Sequence, residues 1–370
     1  MGTLRFNPPP QHVCLLRLSA IGDTCHAVAV LRALQAAWPG THFTWIIGRL
    51  EAKLLAALLP EVEFITFDKR STLAELRRVR RLLVARRFDL LVDLQLSFRA
   101  SLVAAVVRAA IKLGFDRARA RELQWLFTNA RIAPKARQHV VDSFMGFVHA
   151  CGIETAAPRW DVRVPDGAAQ YARHLVPDER PTLVISPCSS HAARDWAADR
   201  YAAVAKHAMG HHGMRVVLAG GRSPREADLG RAIVARVQAR DHLVDQRGED
   251  NPLINQIGKD TLPELLGLLA ASTVLISPDS GPVHMATMVG LPVIGLYAAT
   301  NPARAGPYFS RAWCVDKYDE AARRFLGKPA WELEWTRKIE LPGVMDLIEV
   351  ADVTAKLDAL MASRRRNIPA

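Results

Sequence analysis

Short apolar or β-branched runs along this chain are each followed by a longer stretch whose apolar positions recur at helical spacing. "VCLLRL" (13–18) precedes "AVAVLRALQAAWP", "FTWIIG" (43–48) precedes "EAKLLAALLP", and "VEFITF" (62–67) leads into "STLAELRRVRRLLVARR". "DLLVDLQ" (89–95) then precedes "RASLVAAVVRAA". Runs of this kind suit strands buried on both faces, and their alternation with helices predicts a parallel sheet. The rhythm falters over 157–181, where "APRWDVRVPDG" and "VPDERP" bring prolines and a glycine. It resumes with "TLVISP" (182–187), "DRYAAVAKHAMGHHG", "RVVLAGG" (215–221) and "PREADLGRAIVARV". "TLPELLGLLAAS", "TVLISP" (273–278) and "PVIGLY" (292–297) complete it. The pattern predicts two similar α/β domains facing across a cleft, with ligands bound beyond the carboxyl ends of the strands. The amphipathic last stretch, "IEVADVTAKLDALMASRRR", needs a partner surface for its apolar positions.

A length of 370 residues accommodates two such domains. Apolar runs such as "LVAAVV" (102–107) and "VIGLY" (293–297) fall far short of the ~20 residues of a membrane span. "MGTLRFNPPPQHV" holds no apolar run of signal-peptide length, so the sequence points to the cytoplasm. The five cysteines (Cys14, Cys25, Cys151, Cys188, Cys314) have neither disulfide nor zinc-site spacing, and Cys14 reads as buried strand filler.

Charge changes the picture more. Forty-nine Lys and Arg against 37 Asp and Glu leave a net +12, with runs at 77–81 ("RRVRR"), 85–87, 116–122 ("DRARARE") and 364–366. Such a balance suits nucleic acid, an anionic membrane surface or a phosphorylated substrate; solvated helix faces are the plain alternative. No RNP, zinc-finger or helix-turn-helix pattern accompanies the charge, so nucleic acid is not favoured.

Three loops after strands could carry chemistry. In "RLSAIGDTCHAVAVLRAL", Ser19, Gly22, Asp23 and Thr24 stand between strand and helix, where free N–H groups favour an anion. Asp23 is either a helix N-cap or a base reaching into the cleft. G-x-G-x-x-G is absent, which removes the main support for hydride transfer. In "SPCSSHAARDWAADRYAAV", Arg194 can grip a phosphate bidentately or pair with Asp195 or Asp199 at the surface. In "SPDSGPVHMA" (277–286), the amides of Ser280 and Gly281 offer a diphosphate site and Asp279 can take sugar hydroxyls. The other reading makes Asp279 or Ser280 a cap and His284 structural.

These residues carry a resemblance. "RLSAIGDTCHAVAVLRAL…WPGTHFTWII", "DLLVDLQLSFRASLVA", "RARARELQWLFTN", "RQHVVDSF", "SPDSGPVHMATMVGLPVIGLYAATNPARAGPY" and "MDLIEVADV" together resemble the ADP-heptose-dependent heptosyltransferases of lipopolysaccharide core assembly, glycosyltransferase family 9. The resemblance runs from about residue 12 to 360 and implies the α/β GT-B fold, two facing Rossmann-like domains. The expected spans are 1–165 for the acceptor domain and 180–345 for the nucleotide-sugar domain. Residues 346–370 are expected as a helix packing back across the domains, and the first dozen residues as a disordered arm.

The resemblance also implies inverting, metal-independent transfer of heptose from ADP-heptose to a sugar hydroxyl of the inner core, with no cofactor. Asp23 matches the family's catalytic base, and Asp279, Ser280, Gly281 and His284 match its donor contacts; Glu226 is a further donor-binding candidate. Arg121 matches a contact to acceptor phosphates, His139 matches without a specified role, and Ser19 and Gly22 join the acceptor side. Where the family usually has Lys, this chain has Arg194, which keeps the charge but changes its reach. The sequence has neither D-x-D nor a His/Cys cluster, in keeping with metal independence. The acceptor is expected to be an anionic lipid-linked oligosaccharide at the cytoplasmic face of the inner membrane. Peripheral docking is expected through Arg77, Arg78, Arg80, Arg81, Arg117, Arg119 and Arg121. A transferase for another nucleotide sugar and a non-catalytic module binding anionic glycolipid are the alternatives.

Overall fold

Val, Ile and Leu runs with no polar alternation bury both their faces when they lie in a sheet that helices cover on both sides. The computed structural model, which describes residues 3–239 and 252–366, builds two such sheets in two units, Met1–Arg163 and Val164–Ala370.

The first unit contains β1 (His12–Leu16), α1 (Ile21–Ala37), β2 (His42–Gly48), α2 (Arg49–Leu58), β3 (Glu63–Phe67) and α3 (Thr72–Leu83). It continues with β4 (Phe88–Asp93), α4 (Phe98–Val106), β5 (Ala109–Gly114), β6 (Ala130–Arg131) and α5 (Val140–Ala150). The second contains α6 (Asp166–Leu175), β7 (Thr182–Ile185), α7 (Ala198–His212), β8 (Arg215–Leu218), α8 (Pro224–Gln238), β9 (Leu253–Asn255) and α9 (Leu262–Ala270). There follow β10 (Val274–Pro278), α10 (Gly281–Met288), β11 (Val293–Tyr297), α11 (Pro302–Ala305), β12 (Val315–Asp316), α12 (Tyr318–Leu326) and α13 (Val350–Arg366).

The strand orders are β3-β2-β1-β4-β5-β6 and β12-β11-β10-β7-β8-β9, and the pairs are parallel. Counted from the first strand of each sheet, both follow the doubly wound order 3-2-1-4-5-6. That order reverses between β1 and β4, and between β7 and β10; crevices for ligands open at such switch points.

Two sequence expectations meet a different structure. The residues before β1 are not a loose arm from Leu4 on. The Leu4 N–H donates to Ala150 O (2.7 Å), Phe6 stacks edge-on to Trp38 (5.2 Å), and Asp89 Oδ2 accepts from the N–H groups of Gln11 and His12 (2.7 and 2.9 Å). The stretch of faltering rhythm holds α6, which packs on α9 so closely that a Cβ at Gly267 would lie 2.3 Å from Ala168 O.

The C-terminal helix, expected to pack across the domains, places Val353, Leu357, Leu360 and Met361 in the core of the second unit. It packs against α7, where His207 Nε2 and His212 Nε2 both lie 2.7 Å from Asp358 Oδ1. The buried Nδ1 of His212 has no partner among the described residues, so a proton on Nε2, shared with Asp358, is the arrangement that buries no unpaired donor. This His–Asp–His group joins residues far apart in the chain, which is why spacing alone shows no cluster. No helix among the described residues is long and apolar enough to cross a membrane.

Candidate active site

After Leu16 the chain turns through Arg17–Ala20 into α1. Ala20 is the N-cap and supplies no capping side chain. Asp23 lies in the first turn, and its Oδ2 accepts from Nη2 of Arg17 rather than capping the helix. Arg17 is buried; its Nη1 donates to Leu94 O, and its guanidinium lies 5.3 Å from the centre of the Phe144 ring. The end of β4 grips the same loop. Gln95 Oε1 accepts from the N–H groups of Leu18 (2.9 Å) and Ser19 (3.2 Å), and Gln124 Nε2 donates to Asp93 O (3.0 Å) and Gln95 O (3.3 Å). The ends of the two strands that meet at the switch point thus jointly hold the Ser19 backbone and, through Arg17, Asp23.

His139 and Arg121 lie on other elements of this unit. His139 caps α5, its Nδ1 accepting from Val141 N–H (3.1 Å), and its buried ring meets His26 of α1 edge-on at 5.9 Å. Arg121 is exposed in the loop after β5.

Asp93 is buried completely; Oδ1 accepts from Gln95 N–H (3.2 Å), while Oδ2 has no partner among the described residues. Burial pushes its carboxyl up to about 7, against the opposing pull of Gln95, Gln124, Arg17 and Lys112. A carboxyl raised on folding makes the native state lose stability as pH rises from the unfolded value near 3.8 through about 7. Asp93→Asn should abolish that loss. At about 1.4 kcal/mol per pH unit, its advantage over the parent should grow by up to about 4 kcal/mol between pH 4 and pH 8. Urea unfolding at several pH values measures this, and a pH-independent difference would contradict it.

In the second unit β7 and β10 carry the charged residues. Arg194 is buried at the end of a 3-10 turn (Ala192–Arg194) after β7. It does not pair with Asp195 or Asp199. Its Nε and Nη2 donate to Glu340 Oε1 (2.8 and 2.6 Å), and Nη1 donates to Asp279 Oδ2 (3.2 Å). Asp195 pairs with Arg225 instead, which also reaches Ser189 O, so the loop after β7 is tied to the start of α8.

Asp279 Oδ1 lies 3.8 Å from His284 Nε2. Burial would raise the Asp279 carboxyl, but His284, the Arg194 charge and Thr300 together hold it below the usual range. Glu340 is likewise lowered, Arg194 overcoming the effect of burial. Ser280 is the N-cap of α10, yet its hydroxyl makes no capping bond; it lies 2.8 Å from Ser277 Oγ, which bonds Ser186 O (2.8 Å). The N-cap residue of α10 therefore puts no side chain across the amides of the first turn, which Gly281 heads.

Arg194, Asp279, Ser280, Gly281 and His284 are brought together. Glu226 is not among them: it closes the capping box of α8, accepting from Gly221 N–H (2.7 Å) and from the Ser223 hydroxyl (2.6 Å). The sequence reading missed Arg17, Gln95 and Glu340. The first two left a signal, polar residues at the ends of otherwise apolar strand runs; Glu340 left none, because its loop carries no pattern.

Two parallel sheets of one strand order, with charged and hydroxyl groups at the switch point of each, agree with the α/β GT-B fold that the resemblance implies. Residues 76–335 match glycosyltransferase family 9 (heptosyltransferase). The lipopolysaccharide core heptosyltransferase OpsX of Haemophilus influenzae is 37% identical over 355 residues, covering 96% of this chain and 98% of its own. Among solved structures, a glycosyl transferase family 9 protein from Veillonella parvula superposes with a TM-score of 0.74 at 21% identity, covering 95% of this chain and 97% of its own. ADP-heptose LPS heptosyltransferase II of E. coli gives 0.71 at 19% identity, covering 96% and 100%; at such identities these two speak for the fold. The chain belongs to glycosyltransferase family 9, the heptosyltransferases, and is an enzyme of that class.

Proposed function

We propose that this enzyme moves heptose from ADP-heptose to a sugar hydroxyl of the lipopolysaccharide inner core, with inversion at the anomeric carbon. The observation that carries the reading is Asp23, oriented by buried Arg17 at the switch point of the first sheet. A sugar hydroxyl is a weak nucleophile at neutral pH, so its proton must leave as its oxygen attacks, and Asp23 takes that proton. The bond from the anomeric carbon to the ADP oxygen breaks as the new glycosidic bond forms. Negative charge then gathers on the diphosphate, where the uncapped amides of α10 and the Arg194 guanidinium stabilise it. Asp279 and His284 belong to the donor side; Ser19, Gly22, Arg121 and His139 belong to the acceptor side. Glu226 serves the donor side through the loop it closes after β8.

The acceptor is an anionic lipid-linked oligosaccharide, and the enzyme works at the cytoplasmic face of the inner membrane by peripheral contact. Product analysis should show ADP release and heptose transfer with ADP-heptose and one member of a panel of truncated core lipids. UDP-sugars should give neither. Transfer from a UDP-sugar would replace the donor assignment, and absence of nucleotide release with every acceptor would favour a non-catalytic binding module.

A further inference from the structure

In a parallel sheet every helix begins at the carboxyl edge, so residues in first turns and in the loops after strands share one rim. On the rim of the first unit large apolar side chains face solvent, among them Leu73 (70% exposed), Phe98 (47%), Leu123 (49%) and Leu126 (57%). Leu73 opens α3 and Phe98 opens α4, and these helices pack together on one face of the sheet. Leu123 and Leu126 flank a 3-10 turn (Gln124–Leu126) in the loop after β5, where positions three apart lie one above the other.

The backbone keeps these leucines outward. Glu122 and Leu123 adopt left-handed φ of 48° and 63°, a conformation that non-glycine residues rarely take, while the adjacent Gln124 is buried and anchored to Asp93 and Gln95. Glu122 Oε2 accepts from Phe98 N–H at 2.5 Å, which joins this loop to the start of α4. Around the apolar points stand exposed arginines, Arg70, Arg99, Arg117 and Arg121, with Arg117 lying 4.3 Å over the Trp125 ring.

We infer that this rim docks on an anionic lipid bilayer, inserting Leu73, Phe98, Leu123 and Leu126 among the headgroups while the arginines meet their phosphates. Apolar tips ringed by cations match the two layers of a bilayer surface. Four partly exposed side chains offer far less than the ~800 Å² per partner of a stable protein interface, which argues against a second copy of the chain. The rim also carries Asp23, so docking would bring a lipid-linked acceptor to the base. This deepens the proposed membrane contact and rests on that reading. Of the arginines expected at the contact it keeps Arg117 and Arg121, and it adds Arg70 and Arg99 beside the apolar tips. Arg78 already bonds Glu75 and Thr66 O, and Arg119 bonds Asp116, Gln138, Ser143 and Ala133 O.

Co-sedimentation with phosphatidylglycerol/phosphatidylcholine vesicles, against phosphatidylcholine alone, tests it. Binding should require the anionic lipid and weaken with salt. The double variant Leu123→Ser/Leu126→Ser should bind at least about tenfold more weakly at unchanged melting temperature. Arg117→Glu should weaken binding independently. Equal binding to both vesicle types, no binding at low salt, or a double variant that binds like the parent would overturn the proposal. So would concentration-dependent dimerisation abolished by the leucine changes, which would make the rim a self-association face. Heptose transfer to a delipidated soluble acceptor is measured alongside and should be unaffected by the double variant. Failure of transfer in the parent with vesicle binding intact would count against the proposed reaction and leave the docking surface standing.

Discussion

Asp23→Asn is expected to lower turnover by about 10²-fold or more while leaving ADP affinity and melting temperature close to those of the parent. The size follows from losing general-base work, and asparagine is the informative choice because its carbonyl can still accept from Arg17. The helix start should survive, since Ala20 is the N-cap and Asp23 makes no capping bond there. What remains of its interaction with the helix dipole is worth about 0.3–1 kcal/mol. Steady-state turnover with a defined acceptor, beside calorimetry with ADP, separates the two roles. Turnover near the parental rate would remove Asp23 from the chemistry and leave it as a partner for Arg17.

The second large effect concerns Arg194, whose guanidinium is already held by Asp279 and Glu340. If the donor diphosphate draws on this cation, Arg194→Ala should weaken ADP binding by about 1.5–3 kcal/mol, the scale of a charge-assisted hydrogen bond. Glu340→Gln should do the opposite, tightening ADP several-fold, because it removes the negative charge that competes with the diphosphate. Opposite signs at two residues in contact are hard to produce by general destabilisation. Arg194→Lys should restore part of the affinity lost in the alanine variant, since it keeps a charge with fewer donors. Unchanged ADP affinity in Arg194→Ala would place the diphosphate elsewhere. Loss there without gain in Glu340→Gln would make Arg194 a brace for Asp279.

The two doubly wound sheets were legible because a strand buried on both faces cannot alternate polar and apolar residues, and runs such as "VCLLRL" and "TVLISP" do not. β5 was hidden in the reading of "RASLVAAVVRAA" as one helix. Its sequence, "AAIKLG", opens on two alanines, and Lys112 interrupts the apolar run, reaching Ala104 O through its ammonium. The loops that bear Asp23, Arg194 and Asp279 were legible for the same reason as the strands, since each follows one. Partnerships were not. Nothing in the spacing of residues tells Arg194 to choose Glu340 over Asp195, because that choice depends on where an unpatterned loop returns to the sheet. Glu226 shows the converse: Ser223-x-x-Glu226 at the head of α8 is a capping signature, and the structure uses it as one.

The placement of α13 bears on how the protein is made. Val353, Leu357, Leu360 and Met361 line the same core as Leu183, Val216 and Ile276, so the second unit lacks part of its interior until those residues have been synthesised. The core of the first unit, whose last large buried side chain among the described residues is Trp160, is complete well before that. During translation the first unit can therefore fold while the second is still emerging from the ribosome, exposing β7 and β10 to chaperones until α13 arrives.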